Sequence, residues 1–410
     1  MTSFFTWLDY SERDRRRALY VVDLFKTRET RDDLGIGTVR DALSDILFPG
    51  TTTIMTRARY FFFVPWMYKE LERKRVSSEK IAKRARWGEI RLIDTLLKSD
   101  DTGGVIGKNS RERLQRLPSN IYWLGLQAWG ICTYPGSQYQ YQRWLDRHYR
   151  SQRRHWDSKE DREGHPPPRA NWHPRLPEAP QDFPQIAELR LRKAEAIYLR
   201  DRIQERAPGT LLAFLVDRGK PMEEIAFVWE HALIPELPAR IRFQLEHAQC
   251  FSEAIYGAAI LYNIMLAEAT KWSEGIERYR EFFSEWSETI QRRGGALTRW
   301  NLDEFWSLVR NENRRIPIST QRFVESWIEK VRASSKPEKL AGDQNARRLI
   351  REREASLKRS RARLQNQRYL ELWQGASGAF QQDFRWGVTQ RILRDILQAL
   401  HRGSKHADAA

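Results

Sequence analysis

Cysteine is nearly absent: Cys132 and Cys250 are the only two. Two thiols so far apart build neither a disulfide framework nor a thiolate metal cluster, so both are expected as buried core thiols and the reducing cytoplasm as the setting. Long apolar runs are also missing. The longest, Ala254 to Ala267, is broken by Asn263 and falls short of the roughly 20 residues that span a bilayer, so no membrane segment is expected. At the N-terminus a short apolar run precedes Arg13, Arg15, Arg16 and Arg17 and no small-residue cleavage site follows, which is the wrong order for a secretory leader.

Signatures of common catalysts are missing as well. There is no Gly-x-Ser-x-Gly elbow to nominate a hydrolase serine. The stretch Thr102-Gly-Gly-Val-Ile-Gly-Lys-Asn109 has Thr102 where a phosphate loop needs its first glycine and Asn109 where it needs a hydroxyl, so it reads as an ordinary turn. His148, His155, His165 and His173 follow no zinc-ligand spacing and are expected on the surface. No cofactor or metal is expected.

What is present is bulk and positive charge. The 410 residues include 18 Phe, 16 Trp and 14 Tyr, enough for a sizeable core divided into two or three units. Lys and Arg outnumber Asp and Glu by 71 to 54, and the excess is segregated. Residues 57–91 carry eleven basic and four acidic side chains and residues 341–370 nine and three, whereas residues 221–289 carry five and twelve. Two basic regions flank an acidic, apolar middle, a distribution suited to a polyanion and less so to evenly solvated helix faces.

Apolar residues recur mainly at helical spacing, which predicts a mainly α, multi-lobed protein. A short helix is expected over Val39–Leu47, capped by Thr38, and a helix kinked at Pro65, or else a strand, over Ile54–Trp66. Ser110–Leu117, Ser119–Trp129 and Ser137–Arg150 read as three helices opening on serines, compatible with a helix-turn-helix. Residues 151–185 hold seven prolines and read as a linker or surface arm. Helix His247–Thr270, apolar on nearly every side, is the expected central core element, with Gly257-Ala-Ala259 allowing close helix contact and Glu253, Asn263 and Glu268 needing partners. A long helix is expected over Gln344–Trp373 and a last one over Gly387–His401. The expected division is a basic helical domain over 1–150, the arm over 151–185, a helical core over 186–333 and a basic helical region over 334–410.

Two arginine clusters are the candidate nucleic-acid contacts. In Gln344–Trp373 the apolar seam is narrow, Ile350, Leu357 and Leu364, and the rest of the circumference is basic: Arg347, Arg351, Lys358, Arg359, Arg361 and Arg363 could track a phosphate backbone. In the second cluster Arg143, Arg147, Arg150, Arg153 and Arg154 alternate with aromatics, where bases could stack, although Tyr141, Trp144 and His148 share a face that could equally be core. Arg57 and Arg59 join these as candidates. A metal-dependent nuclease would instead draw on Asp9, Asp14, Asp23, Asp32, Asp33 and Asp41 with the Glu72-Arg73-Lys74 triplet.

Three strings are distinctive: Phe5-Thr-Trp-Leu-Asp-Tyr-Ser-Glu-Arg-Asp-Arg-Arg-Arg-Ala18, Leu34-Gly-Ile-Gly-Thr-Val-Arg-Asp-Ala42 and Phe48-Pro-Gly-Thr-Thr-Thr-Ile-Met-Thr-Arg-Ala-Arg-Tyr-Phe-Phe-Phe-Val-Pro-Trp66. With His247 to Glu268 and Asp383-Phe-Arg-Trp-Gly387 they resemble a bacterial domain-of-unknown-function family of roughly this length. The resemblance carries no catalytic residues. It implies a place near helicases in anti-phage defence clusters, hence a helicase or another defence-complex subunit as partner. The expected function is a non-catalytic nucleic-acid-binding accessory subunit, DNA being the favoured ligand and no membrane being involved. A nuclease and a protein-interaction scaffold are the alternatives.

Overall fold

A computed structural model describes residues 32–157, 170–221 and 223–402. The protein is mainly α, with fifteen α-helices and no β-strand among the described residues. They are α1 Gly37–Leu47, α2 Tyr60–Arg73, α3 Ile81–Leu96, α4 Pro118–Ala128, α5 Gln138–Asp157, α6 Lys193–Arg206, α7 Leu211–Arg218, α8 Ala239–Ala269, α9 Ser273–Arg292, α10 Gly294–Arg299, α11 Leu302–Glu312, α12 Ile318–Ala333, α13 Gln344–Lys358, α14 Gln367–Leu370 and α15 Trp386–His401. They form two compact units, each assembled from two stretches of chain: residues 32–42 with Glu246–Gln382, and Leu43–Leu245 with residues 383–402. The expected serial division has no such interleaving.

The first unit is built on the part of α8 from Glu246 onward. Its apolar side chains are buried all round, as the sequence pattern predicts, and Gly257 lets the Trp286 ring approach so closely that a Cβ there would lie 2.3 Å from it. Trp286 and Trp327 fix their rings by donating indole N–H bonds to the Glu253 and Ala254 carbonyls. The three polar residues of this helix find their partners: Glu253 with Arg293, Asn263 with the backbone of Ser377, and Glu268 with Arg347 and Arg280. Seen whole, α8 runs 31 residues and is long and apolar enough to cross a membrane, which the shorter run Ala254–Ala267 did not suggest. Its apolar window is 94% buried against the protein, as a core helix would be.

The second unit centres on α2, whose residues Tyr60 to Tyr68 are all buried, Pro65 included; the helix reading of the aromatic string holds from Tyr60 onward, residues 54–59 lie outside the helix, and the strand reading fails. Helices α3 and α4 pack on α2, and α15 packs on α6 and α7. Helix α5 opens with a reciprocal cap, Ser137 Oγ accepting from Gln140 N–H while Gln140 accepts from Ser137 N–H.

Local chemistry corrects the boundaries elsewhere. Ser110–Leu117 forms only the 3-10 turn Arg111–Arg113, and Ser119 lies inside α4, where it binds Glu89 rather than capping. At α1 the side chain of Asp32 takes the Ile36 and Gly37 N–H groups, while Thr38 Oγ is buried without a partner. The arm is shorter than expected at both ends: α5 continues to Asp157, and Asn171, Trp172 and Leu176 are buried, Trp172 pairing with Cys132. Residues 158–169, with Pro166, Pro167 and Pro168, lie outside the described residues, as do the side chains of Arg154 and His155.

Candidate nucleic-acid interface

The expected long arginine helix is two pieces. Helix α13 stops at Lys358, where Arg359 adopts φ +53°, and a 3-10 turn over Arg359–Arg361 reverses the chain before α14. The expected seam fails with it: Ile350 is buried, but Leu357 is exposed and Leu364 half-buried, and the inward positions are taken by Ala346, Arg353 and Glu354. A narrow apolar stripe can be supplemented by buried charge when the charges find partners, and here they do.

Glu354 is fully buried and accepts from the Tyr262 hydroxyl, Lys358 Nζ and the Arg363 and Leu364 N–H groups. Asp33 bridges Lys358 at 2.5 Å and Arg363 at 3.2 Å, and Arg363 also donates to Ser377 Oγ. Arg353 donates to the Leu34 and Gly35 carbonyls and to Thr320. The carboxylate–lysine combination that phosphodiester hydrolysis needs thus meets at Asp33, Glu354 and Lys358, not at Glu72-Arg73-Lys74. Two carboxylates face two cations, and protein donors satisfy each carboxylate. Such an arrangement locks the chain reversal. Glu72 is likewise engaged, by Tyr141, Trp172 and Asn171, and burial raises its pKa above the usual carboxylate range. Asp32 caps α1, Asp41 binds Arg40, and Asp9, Asp14 and Asp23 lie outside the described residues.

Five of the thirteen candidates are therefore tied up internally. Arg57 holds Asp395 and Asp101 and the Gly103 carbonyl inside the second unit. Arg59 is 2% exposed, bridges Glu195 at 3.0 Å, and leaves its Nε buried without an acceptor. Arg347 is drawn to Glu268, and Lys358 and Arg363 belong to the network above. In sequence these cations are indistinguishable from solvated ones, because their partners lie as far as 338 residues away.

The other described candidates are exposed. In the first unit Arg351, Arg359 and Arg361 have no ion-pair partner among the described residues. In the second, α5 buries Tyr141, Leu145 and His148 and turns Arg143, Arg147, Arg150 and Arg153 outward. His148 is thus a core histidine, its pKa lowered by burial, and not a surface one. The helix has little opposing charge: Asp146 is occupied by the Ser78 N–H and hydroxyl. Arg143 lies 5.8 Å from the ring of Tyr139, which is 65% exposed. The sequence reading missed a second such stripe on α3. Lys80, Lys83, Arg84 and Arg91 are exposed there around Trp87, and the signal available was an aromatic inside a basic run.

A cleft of about 520 Å³ lies beside Arg59 in the second unit. Its walls mix Lys98, Arg190 and Arg192 with Asp100, Asp182 and Glu188, so its charge favours neither sign. Among the described residues no group of three or more His, Cys, Asp or Glu is placed to hold a metal ion.

A family model matches residues 2–400. The chain belongs to DUF6361, a family of unknown function. No curated protein and no solved structure matches it. Membership in DUF6361 covers nearly the whole chain and assigns no residue a role.

Proposed function

We propose that this DUF6361 protein is a non-catalytic nucleic-acid-binding accessory subunit, acting in the cytoplasm and free of membrane, with a bacterial anti-phage defence complex and its helicase as the setting. The observation that carries the proposal is the outward row of Arg143, Arg147, Arg150 and Arg153 on α5, cations with no ion-pair partner among the described residues. Guanidinium groups held on a rigid helix suit phosphate oxygens, which they bind through charge-assisted hydrogen bonds while releasing counterions. Binding of this kind is insensitive to base sequence and favours DNA or RNA alike, DNA being the ligand of choice in a defence setting.

The test is a salt titration on a random duplex. Log affinity should fall linearly with log salt, with a slope near −0.9 per phosphate neutralised. Affinity that does not change with salt defeats the proposal. Cleavage of the duplex in the presence of magnesium would favour the nuclease alternative, and retention of a partner protein without any DNA affinity would favour the scaffold.

A further inference from the structure

We infer that Trp87 is a stacking platform for an unpaired base, so that the nucleic acid met by α3 is single-stranded there; the inference rests on the nucleic-acid reading above and narrows it. Trp87 stands in the middle of a helix otherwise packed on α2, yet it is 57% exposed. Arg91, one turn on, lays its guanidinium 4.5 Å from the indole centroid. One face of the ring is thereby backed by a cation, while more than half of the side chain stays open to solvent. Lys80, Arg84, Trp87 and Arg91 follow one another at helical spacing, so they form a single stripe about 16 Å long at 1.5 Å per residue.

Nothing on this stripe opposes the charge. Of the two carboxylates in α3, Glu89 is buried against Ser119 and Asp94 is paired with Arg111. A ligand that complements it must combine an anionic backbone with flat π-systems at intervals, and a nucleic acid strand does both. In a duplex the base faces are stacked on one another and only edges are offered, so an indole can stack only on an unpaired base. The guanidinium of Arg91 strengthens the platform from behind by the cation–π attraction and remains free at its rim to meet a phosphate.

The experiment compares wild type, Trp87→Ala and Trp87→Phe by fluorescence anisotropy on an oligothymidylate and on a duplex of equal length, at one salt concentration, with melting curves alongside. Loss of one stacked base should weaken oligothymidylate binding by roughly 5- to 150-fold in the alanine variant and spare the duplex. The phenylalanine variant should recover most of the loss. Equal weakening on both probes, or none on the single strand, overturns the platform. If wild type binds duplex but not oligothymidylate, the platform fails while the nucleic-acid reading stands; if it binds neither, both fail. Should the alanine variant melt early, Trp87→Gln supplies the same comparison with a polar side chain at the exposed position, and equal binding of both probes by that variant and wild type overturns the inference.

Discussion

Replacing Arg143, Arg147 and Arg150 by alanine removes three of the four described outward cations of α5 without touching its buried face of Tyr141, Leu145 and His148. From Arg143 to Arg153 the helix rises about 15 Å, and one strand of B-form duplex carries a phosphate every 3.4 Å or so along the axis, so about four phosphates lie within reach of four arginines. Losing three contacts should make the salt slope shallower by about 2.7. Across a fourfold rise in salt, wild type then loses roughly 40-fold more affinity than the variant. The cost to folding is small: the Arg143–Tyr139 contact contributes about 0.5–1 kcal/mol at an exposed site, and alanine is the better helix former. The assay is a salt titration of both proteins on one duplex, with thermal melts as the control for folding. Unchanged slope and affinity in a variant that melts like wild type would refute the phosphate-contact reasoning for this helix.

In the first unit the corresponding substitution is Arg351, Arg359 and Arg361 to alanine, which should shallow the slope by roughly 2 to 3 and leave the melt intact. Arg363→Ala is the contrasting variant: it strips Asp33 of a buried partner and should lower stability by about 3–5 kcal/mol in chemical denaturation. Burial raises the pKa of Glu89 to about 7, so the folded state holds a proton that the unfolded chain releases near 4.5. Stability should therefore fall as pH rises between those values, by roughly 3 kcal/mol, and denaturation of Glu89→Gln on either side of the window should lack that component. Gly257→Ala should cost about 1–3 kcal/mol by forcing the Trp286 ring off the helix, read as a lower melting temperature.

Fold class and several helices were legible because they depend on local periodicity: α8, α15 and the aromatic helix α2 all announce themselves within their own residues. The break at Arg359 was not, since it depends on a left-handed backbone angle at a residue type that rarely adopts one, stabilised by Glu354 reaching the N–H groups of Arg363 and Leu364. Of the candidate cations, those on α5 could be sorted by helical phase, because Tyr141, Leu145 and His148 mark the inward side. Arg57, Arg59 and Arg363 could not, because Asp395, Glu195 and Asp33 are remote in sequence and only folding brings them to hand. Trp87 was hidden for the opposite reason: an aromatic in a basic helix is by default assigned to the core, and only the folded chain reveals that Glu89, two residues on, has taken the inward side instead.

The interleaving of the two units sets a schedule for synthesis. Arg363 leaves the ribosome 330 residues after Asp33, its partner in the buried network. At elongation rates of about 5–20 residues per second, Asp33 waits on the order of tens of seconds for that contact. Asp45 waits 340 residues for Arg385 in the other unit. Neither unit has all of its chain until those late arginines have emerged, so α2 stays unfinished for most of synthesis, and α8, which ends at Ala269, until its unit closes at Gln382. Co-translational chaperone capture, and a sharp fall in soluble yield for any chain truncated ahead of α15, follow from this connectivity, whatever the protein binds.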